Sequence, residues 1–100
     1  MTQQIPLEHM GTILEEEFMI PYGLSQNALA RAINVPPSRI TDIVNGRRKI
    51  TADTDLRLTK LFRLSEGYFL RFQERIDTVI AKRAILSDLE RIVPIGEKAA

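Results

Sequence analysis

The sequence predicts an all-α fold: a five-helix helix-turn-helix domain followed by a helical C-terminal extension. Three observations lead there. Residues 26–45 fill every packing position of two short helices joined by a tight turn. Apolar residues on either side of that stretch recur at helical spacing, with no strand-like alternation. In the last quarter of the chain, apolar residues recur every seven. With 100 residues, 44% of them hydrophobic, the chain supports one small core and no more.

Residues 1–8 read as a flexible N-terminal arm ahead of a helix-turn-helix domain over residues 9–76. Met10, Ile13, Leu14 and Phe18 mark one face of a first helix, from about Met10 to Ile20, and Pro21-Tyr22-Gly23 turns the chain toward Ser25. Ser25 N-caps the second helix, on which Leu29 and Ile33 lie at i, i+4 and face inward. Ala30 leaves room for the next helix to approach. Asn34 suits the left-handed residue needed at the turn, because it tolerates that conformation better than most non-glycine residues. Val35 plugs the gap beneath, and Pro36 or Pro37 starts the third helix with a pre-set φ. Ile40 and Ile43 return to the core. Thr51 N-caps the fourth helix, with Asp53 and Asp55 in the first turn to suit the dipole and Leu56, Leu58, Leu61 and Phe62 as its apolar positions. Ser65 then caps a fifth helix containing Tyr68, Phe69, Phe72 and Ile76.

The tail over residues 77–100 needs its own account. Val79, Leu86 and Val93 recur every seven residues, Leu89 falls between the last two, and Ile80, Ile85 and Ile92 flank them. A domain this small leaves such a surface uncovered, which predicts a homodimer with Val79, Leu86, Leu89 and Val93 at its interface. The alternative is a tail folded back over Phe69 and Phe72. Ser87-Asp88-Leu89-Glu90 fits a capping box, so a break between two helices is expected near Ser87, with fraying from Glu97 to Ala100.

The third helix turns an unusual set of side chains outward. Pro37, Ser38, Thr41 and Asp42 face away from the core near its start, with Arg39 beside them and Asn45 at its end. Short polar groups there can enter a major groove and reach base edges, so Pro37, Ser38, Arg39, Thr41 and Asp42 are the expected base-reading residues. Gly46 ends the helix and Arg47, Arg48 and Lys49 follow; with Ser25, Gln26 and Asn45 these are the expected contacts to the DNA backbone. The charge distribution agrees. Residues 1–24 carry four acids and no Lys or Arg, residues 25–49 carry five bases against Asp42, and residues 50–100 carry nine bases and eight acids. The net charge of +1 therefore hides a positive potential concentrated on the helix-turn-helix.

Other classes fall away. Without Cys there is no disulfide framework or thiolate metal site. His9 is the only His and sits where it caps or packs, so neither a metal site nor a nucleophile–base pair is expected, and with them no enzyme and no cofactor. Glu15-Glu16-Glu17 point about 100° apart on a helix and do not converge on one ion. No apolar run approaches the roughly 18–20 residues that span a bilayer and no signal peptide opens the chain, so a soluble cytoplasmic protein without membrane contact is expected.

The chain also resembles the HigA-type antitoxins of bacterial toxin–antitoxin modules, a branch of the phage-repressor-like (Xre) helix-turn-helix regulators. The resemblance runs from His9-Met-Gly-Thr-Ile-Leu-Glu-Glu-Glu-Phe18 through Pro21–Gln26, Val35–Ile40, Ile43–Arg48, Ile50–Thr54, Leu56–Leu58 and Ser65–Leu70 to Gln73 and Asp77. Its most specific part is Arg39 to Leu58. Met10 stands where the family commonly has Pro, and Phe69 where it commonly has Trp. The resemblance implies a homodimer that represses its own operon by binding double-stranded operator DNA. It also implies a partner toxin of the HigB type, a small ribosome-dependent messenger-RNA endonuclease held inactive by the antitoxin. Ser38, Arg39, Thr41 and Asp42 match the family's operator-reading positions, and Gln26, Asn45, Arg47, Arg48 and Lys49 its backbone contacts. The toxin would meet the arm over residues 1–8 or the tail over 77–100. The alternative is a stand-alone dimeric repressor of the same fold without a toxin.

Overall fold

The computed structural model describes residues 9–96, so the expected N-terminal arm and the last four residues lie outside it. Helix α1 (Met10–Ile13) runs into a π-helical turn (Leu14–Met19), followed by α2 (Gln26–Ile33), α3 (Pro37–Val44), α4 (Ala52–Phe62), α5 (Tyr68–Ala84) and α6 (Leu86–Glu90). There is no strand among the described residues. His9 caps α1, its Nδ1 accepting the Gly11 N–H at 3.1 Å. The wider π spacing, with Ile20 N–H bonded to Glu15 C=O at 2.9 Å, lets both Phe18 and Met19 turn inward. Sequence periodicity alone marks only Phe18.

The core is contiguous. Met10 and Leu14 meet Leu29, Ala30, Ile33, Val35, Ile40, Ile43, Leu58, Phe69 and Ile76, with Phe69 fully buried. Phe18 packs edge-on to Phe69 with ring centroids 5.0 Å apart and lies 5.3 Å from Phe62, an arrangement that suits the quadrupoles of the rings.

Two expectations for the second half of the domain are corrected. Helix α4 buries Thr54, Asp55, Leu58 and Thr59, whereas Leu56 and Leu61 are exposed. This polar face is tolerated because its groups are satisfied: Thr59 Oγ1 donates to Leu56 C=O at 3.2 Å, and Asp55 accepts from the start of α5. Ser65 is not the cap of α5. Gly67 holds that position with φ +87°, and Asp55 does the capping from α4: Oδ2 accepts Gly67 N–H at 2.7 Å, while Oδ1 accepts Phe69 N–H at 2.8 Å and Leu70 N–H at 3.3 Å. The Ser65 hydroxyl instead accepts from Arg71.

Helix α5 crosses residues 76 and 77 without interruption, so the boundary drawn there falls inside one helix. The break in the tail comes at Ile85, two residues before Ser87, whose side chain makes no capping bond. Val79 is half-buried, but residues 80–96 are all exposed, with Leu86 at 49%, Leu89 at 36% and Val93 at 83%. The tail does not fold back over Phe69 and Phe72.

Candidate nucleic-acid interface

The interface is assembled by the α2–α3 hairpin and the loop that follows it. Ser25 Oγ accepts the Ala28 N–H at 3.0 Å and starts α2. Asn34 ends it with φ +60° and ψ +51°, the left-handed conformation expected, and Val35 N–H closes the turn onto Ala30 C=O at 3.0 Å. Pro36 is the extended N-cap of α3 and Pro37 its first helical residue. Ile40, Ile43 and Val44 face the core. Successive helical residues rotate by about 100°, so Ser38, Thr41, Asp42 and Asn45 share the opposite face, with Pro37 on its flank.

That face is knit together by polar contacts. Thr41 Oγ1 donates to Gln26 Oε1 at 2.7 Å, joining the start of α2 to the middle of α3. Asp42 Oδ1 accepts from Arg47 at 3.2 Å, and the Asp42 carbonyl accepts the backbone N–H groups of Arg47 and Arg48. Gly46, at φ +78°, makes that turn. A Cβ there would come within 3.1 Å of the His9 ring, so His9 both caps α1 and packs on the loop. Arg48 is exposed and makes no ion pair among the described residues, while Lys49 pairs with Asp77 on α5. The Arg47–Asp42 and Lys49–Asp77 pairs are exposed, so both are weak enough to yield to a phosphate.

Two anchors of this surface carry no local signature. Gln73 on α5 grips the end of the basic loop from both sides: its Oε1 accepts Ile50 N–H at 2.8 Å and its Nε2 donates to Ile50 C=O at 2.9 Å. Arg39 lies about a quarter-turn from the centre of the outward face and runs sideways to α4, where it donates to Asp53 Oδ2 at 3.0 Å. Asp53 also receives Arg57, through Nε to Oδ1 at 2.9 Å. The hydrogen bonds from Arg57 and then Arg39 hold the Asp53 carboxyl below its ordinary pKa. A depressed folded-state pKa means that this carboxylate stabilises the fold above the unfolded carboxylate range and loses that contribution as pH falls through the lower, folded value. Wild type and Asp53→Asn should therefore differ most in melting temperature near neutral pH and converge in strong acid. A constant difference down to strong acid would mean that the ion pairs contribute nothing.

A surface of this kind, with short polar groups in front of a basic loop and a helix crossing behind, defines a helix-turn-helix DNA-binding protein. The chain belongs to the helix-turn-helix family, whose sequence profile matches residues 16–69. It is 42% identical over 96 residues to virulence-associated protein I of Dichelobacter nodosus, across 96% of this chain and 88% of that protein. Among solved structures it is similar to antitoxin HigA of Pseudomonas aeruginosa, solved with the higBA promoter: TM-score 0.79 and 32% identity, over 89% of this chain and 98% of the other. An addiction module antidote protein of the HigA family from Coxiella burnetii matches with TM-score 0.80 and 36% identity, over 90% and 99% of the two chains. The likeness to HigA-type antitoxins read from residues 9–77 thus reappears over nearly the whole chain. The family is one of DNA-binding regulators rather than enzymes. No helix among the described residues is long and apolar enough to cross a membrane.

Proposed function

We propose that the chain is an antitoxin repressor: a homodimer that binds the operator of its own operon and neutralises a HigB-type messenger-RNA endonuclease. The observation that carries this reading is the outward face of α3 with its trailing basic loop, set in a fold that matches a HigA solved with promoter DNA along nearly its full length. Ser38, Thr41 and Asp42, flanked by Pro37, are the base-reading set. Asp42, released from Arg47, is an acceptor suited to a cytosine amino group. Ser25 uses its oxygen as a cap acceptor and keeps its proton for a phosphate, and Gln26, bonded to Thr41 through its carbonyl, keeps both amide protons. Asn45, Arg47, Arg48 and Lys49 complete the backbone contacts.

Arg48→Ala should weaken binding to every DNA sequence alike and lower the salt slope by about one. A loss confined to one operator sequence would make Arg48 a base reader. The helix break at Ile85 and the end of α6 at Glu90 keep Val79, Leu86 and Val93 off a single helical face. The exposed apolar side chains of the tail remain the dimer surface, so replacing Leu86 and Leu89 by Glu should shift sedimentation toward monomer and weaken operator binding. An intact dimer in that variant would place the interface elsewhere.

Co-expression with the product of the adjacent small reading frame tests the reading as a whole. Rescue from a toxic neighbour with co-purification of the two chains is the expected result. A harmless neighbour, or one that never binds, would leave a stand-alone repressor.

A further inference from the structure

Two arginines, one from α3 and one from α4, converge on one exposed carboxylate. Asp53, in the first turn of α4, receives Arg39 from α3 at 3.0 Å and Arg57 from α4 at 2.9 and 3.2 Å. Arg57 donates onward to the last carbonyls of α2, Ile33 C=O at 2.8 Å and Asn34 C=O at 3.3 Å. Both helices of the DNA-docking hairpin are therefore tied to α4, α3 through the Arg39–Asp53 pair and α2 through Arg57. Asp53 is the only side-chain partner that Arg39 has among the described residues, and the Arg39 Nε is buried without any partner.

We infer that Asp53 is a positioning residue that sets sequence discrimination by holding Arg39 off the base-reading face. The inference rests on the DNA-binding reading above. Its physical basis is the balance of forces on the Arg39 side chain. A buried, unpaired Nε disfavours the inward conformation, because its lost hydration is not replaced. The opposing attraction is the charge-assisted bond to Asp53. Without the carboxylate, the guanidinium gains by swinging out to water beside Ser38 and Asp42. A mobile cation with five donors at that position would bond phosphates of any sequence. Affinity gained this way is electrostatic and indifferent to sequence, so it raises non-specific binding more than operator binding. Arg57 keeps its hold on α2 without Asp53, so the hairpin need not come apart when the carboxylate is removed.

Four proteins test this: wild type, Asp53→Ala, Arg39→Ala and the double variant. Each is titrated with the promoter duplex upstream of its own operon and with a scrambled duplex of equal length, across a salt series, with thermal melts in parallel. Asp53→Ala is expected to bind the scrambled duplex about three- to tenfold more tightly, with a salt slope larger by about one and a smaller promoter preference. Adding Arg39→Ala should abolish that gain. Arg39→Ala alone should leave the salt slope and the pattern of base preference unchanged.

A folded Asp53→Ala without the gain overturns the inference. So does a gain that survives in the double variant, which would be the generic effect of removing a negative charge. Loss of preference at one or two base pairs in Arg39→Ala would make Arg39 a base reader and overturn it too. Should Asp53→Ala melt too low to assay, Asp53→Asn, which keeps the volume and removes the charge, decides by the same comparison. A wild type that binds neither duplex would instead refute the DNA-binding reading, and this inference with it.

Discussion

Gly11→Ala is expected to lower the melting temperature by about 15 °C or more, corresponding to about 3 kcal/mol in a domain of this size. Helix α1 crosses α3 with the two backbones in contact. A Cβ on Gly11 would lie 1.9 Å from the Ile43 carbonyl oxygen and 2.8 Å from both the Ile43 carbonyl carbon and Val44 Cα. None of these atoms is the free end of a side chain that can step aside. Either α1 lifts, drawing Met10 and Leu14 out of the core, or α3 is displaced. Ordinary overpacking costs about 1–3 kcal/mol, and a collision with main chain belongs at the upper end or beyond. Displacement of α3 would also move the reading face, so whatever protein still folds should bind the promoter more weakly. Gly23→Ala is the control. Unlike Gly11 it has a positive φ, at +65°, but its Cβ meets nothing within 4 Å, so its cost is confined to local backbone strain of about 1–2 kcal/mol. Equal melting temperatures for wild type and Gly11→Ala would mean that the helices do not approach this closely in solution.

Asp55→Ala is the second large effect, expected to cost about 3 kcal/mol or more in urea denaturation with an unchanged m-value. The carboxylate is 1% exposed and accepts three backbone N–H groups at the start of α5. Removing it leaves the buried Phe69 N–H without a partner and opens a void beneath it, and each stranded donor costs about 1–3 kcal/mol. The same change unpins α5 next to the aromatic cluster of Phe18, Phe62 and Tyr68. Asp55→Asn, which keeps one acceptor oxygen, should fall between the two. A loss under about 1 kcal/mol for Asp55→Ala would show that water replaces the carboxylate, and that α5 is held by packing alone.

Neither residue declares its role in the sequence, and the reason is the same for both. Asp55 reads as a first-turn acid favoured by the dipole of α4, when its partners lie 12–15 residues away in another helix. Ser65 sits in a plausible capping position and is passed over, because a carboxylate from α4 reaches the same donors. Gly11 looks like an indifferent residue near a helix start until α3 is laid across it. Leu56 and Leu61 satisfy helical spacing yet stay exposed, since the buried stripe of α4 runs through Thr54, Asp55, Leu58 and Thr59. Arg39, by position and charge, belongs with the reading residues, and an acid 14 positions later draws it aside.

What the sequence determined by itself was a set of features whose causes lie within a few residues. The Ser25 and Thr51 caps, the left-handed Asn34, the proline start of α3, the Leu29–Ile33 and Ile40–Ile43 faces and the concentration of charge on the hairpin all follow from local geometry, and the structure keeps each of them. Tertiary structure alone decided which polar groups are paired, which glycine admits a neighbouring backbone, and which cations remain at the surface. Those outcomes depend on distances between segments far apart in the chain, and a spacing rule based on 3.6 residues per turn carries no information about them.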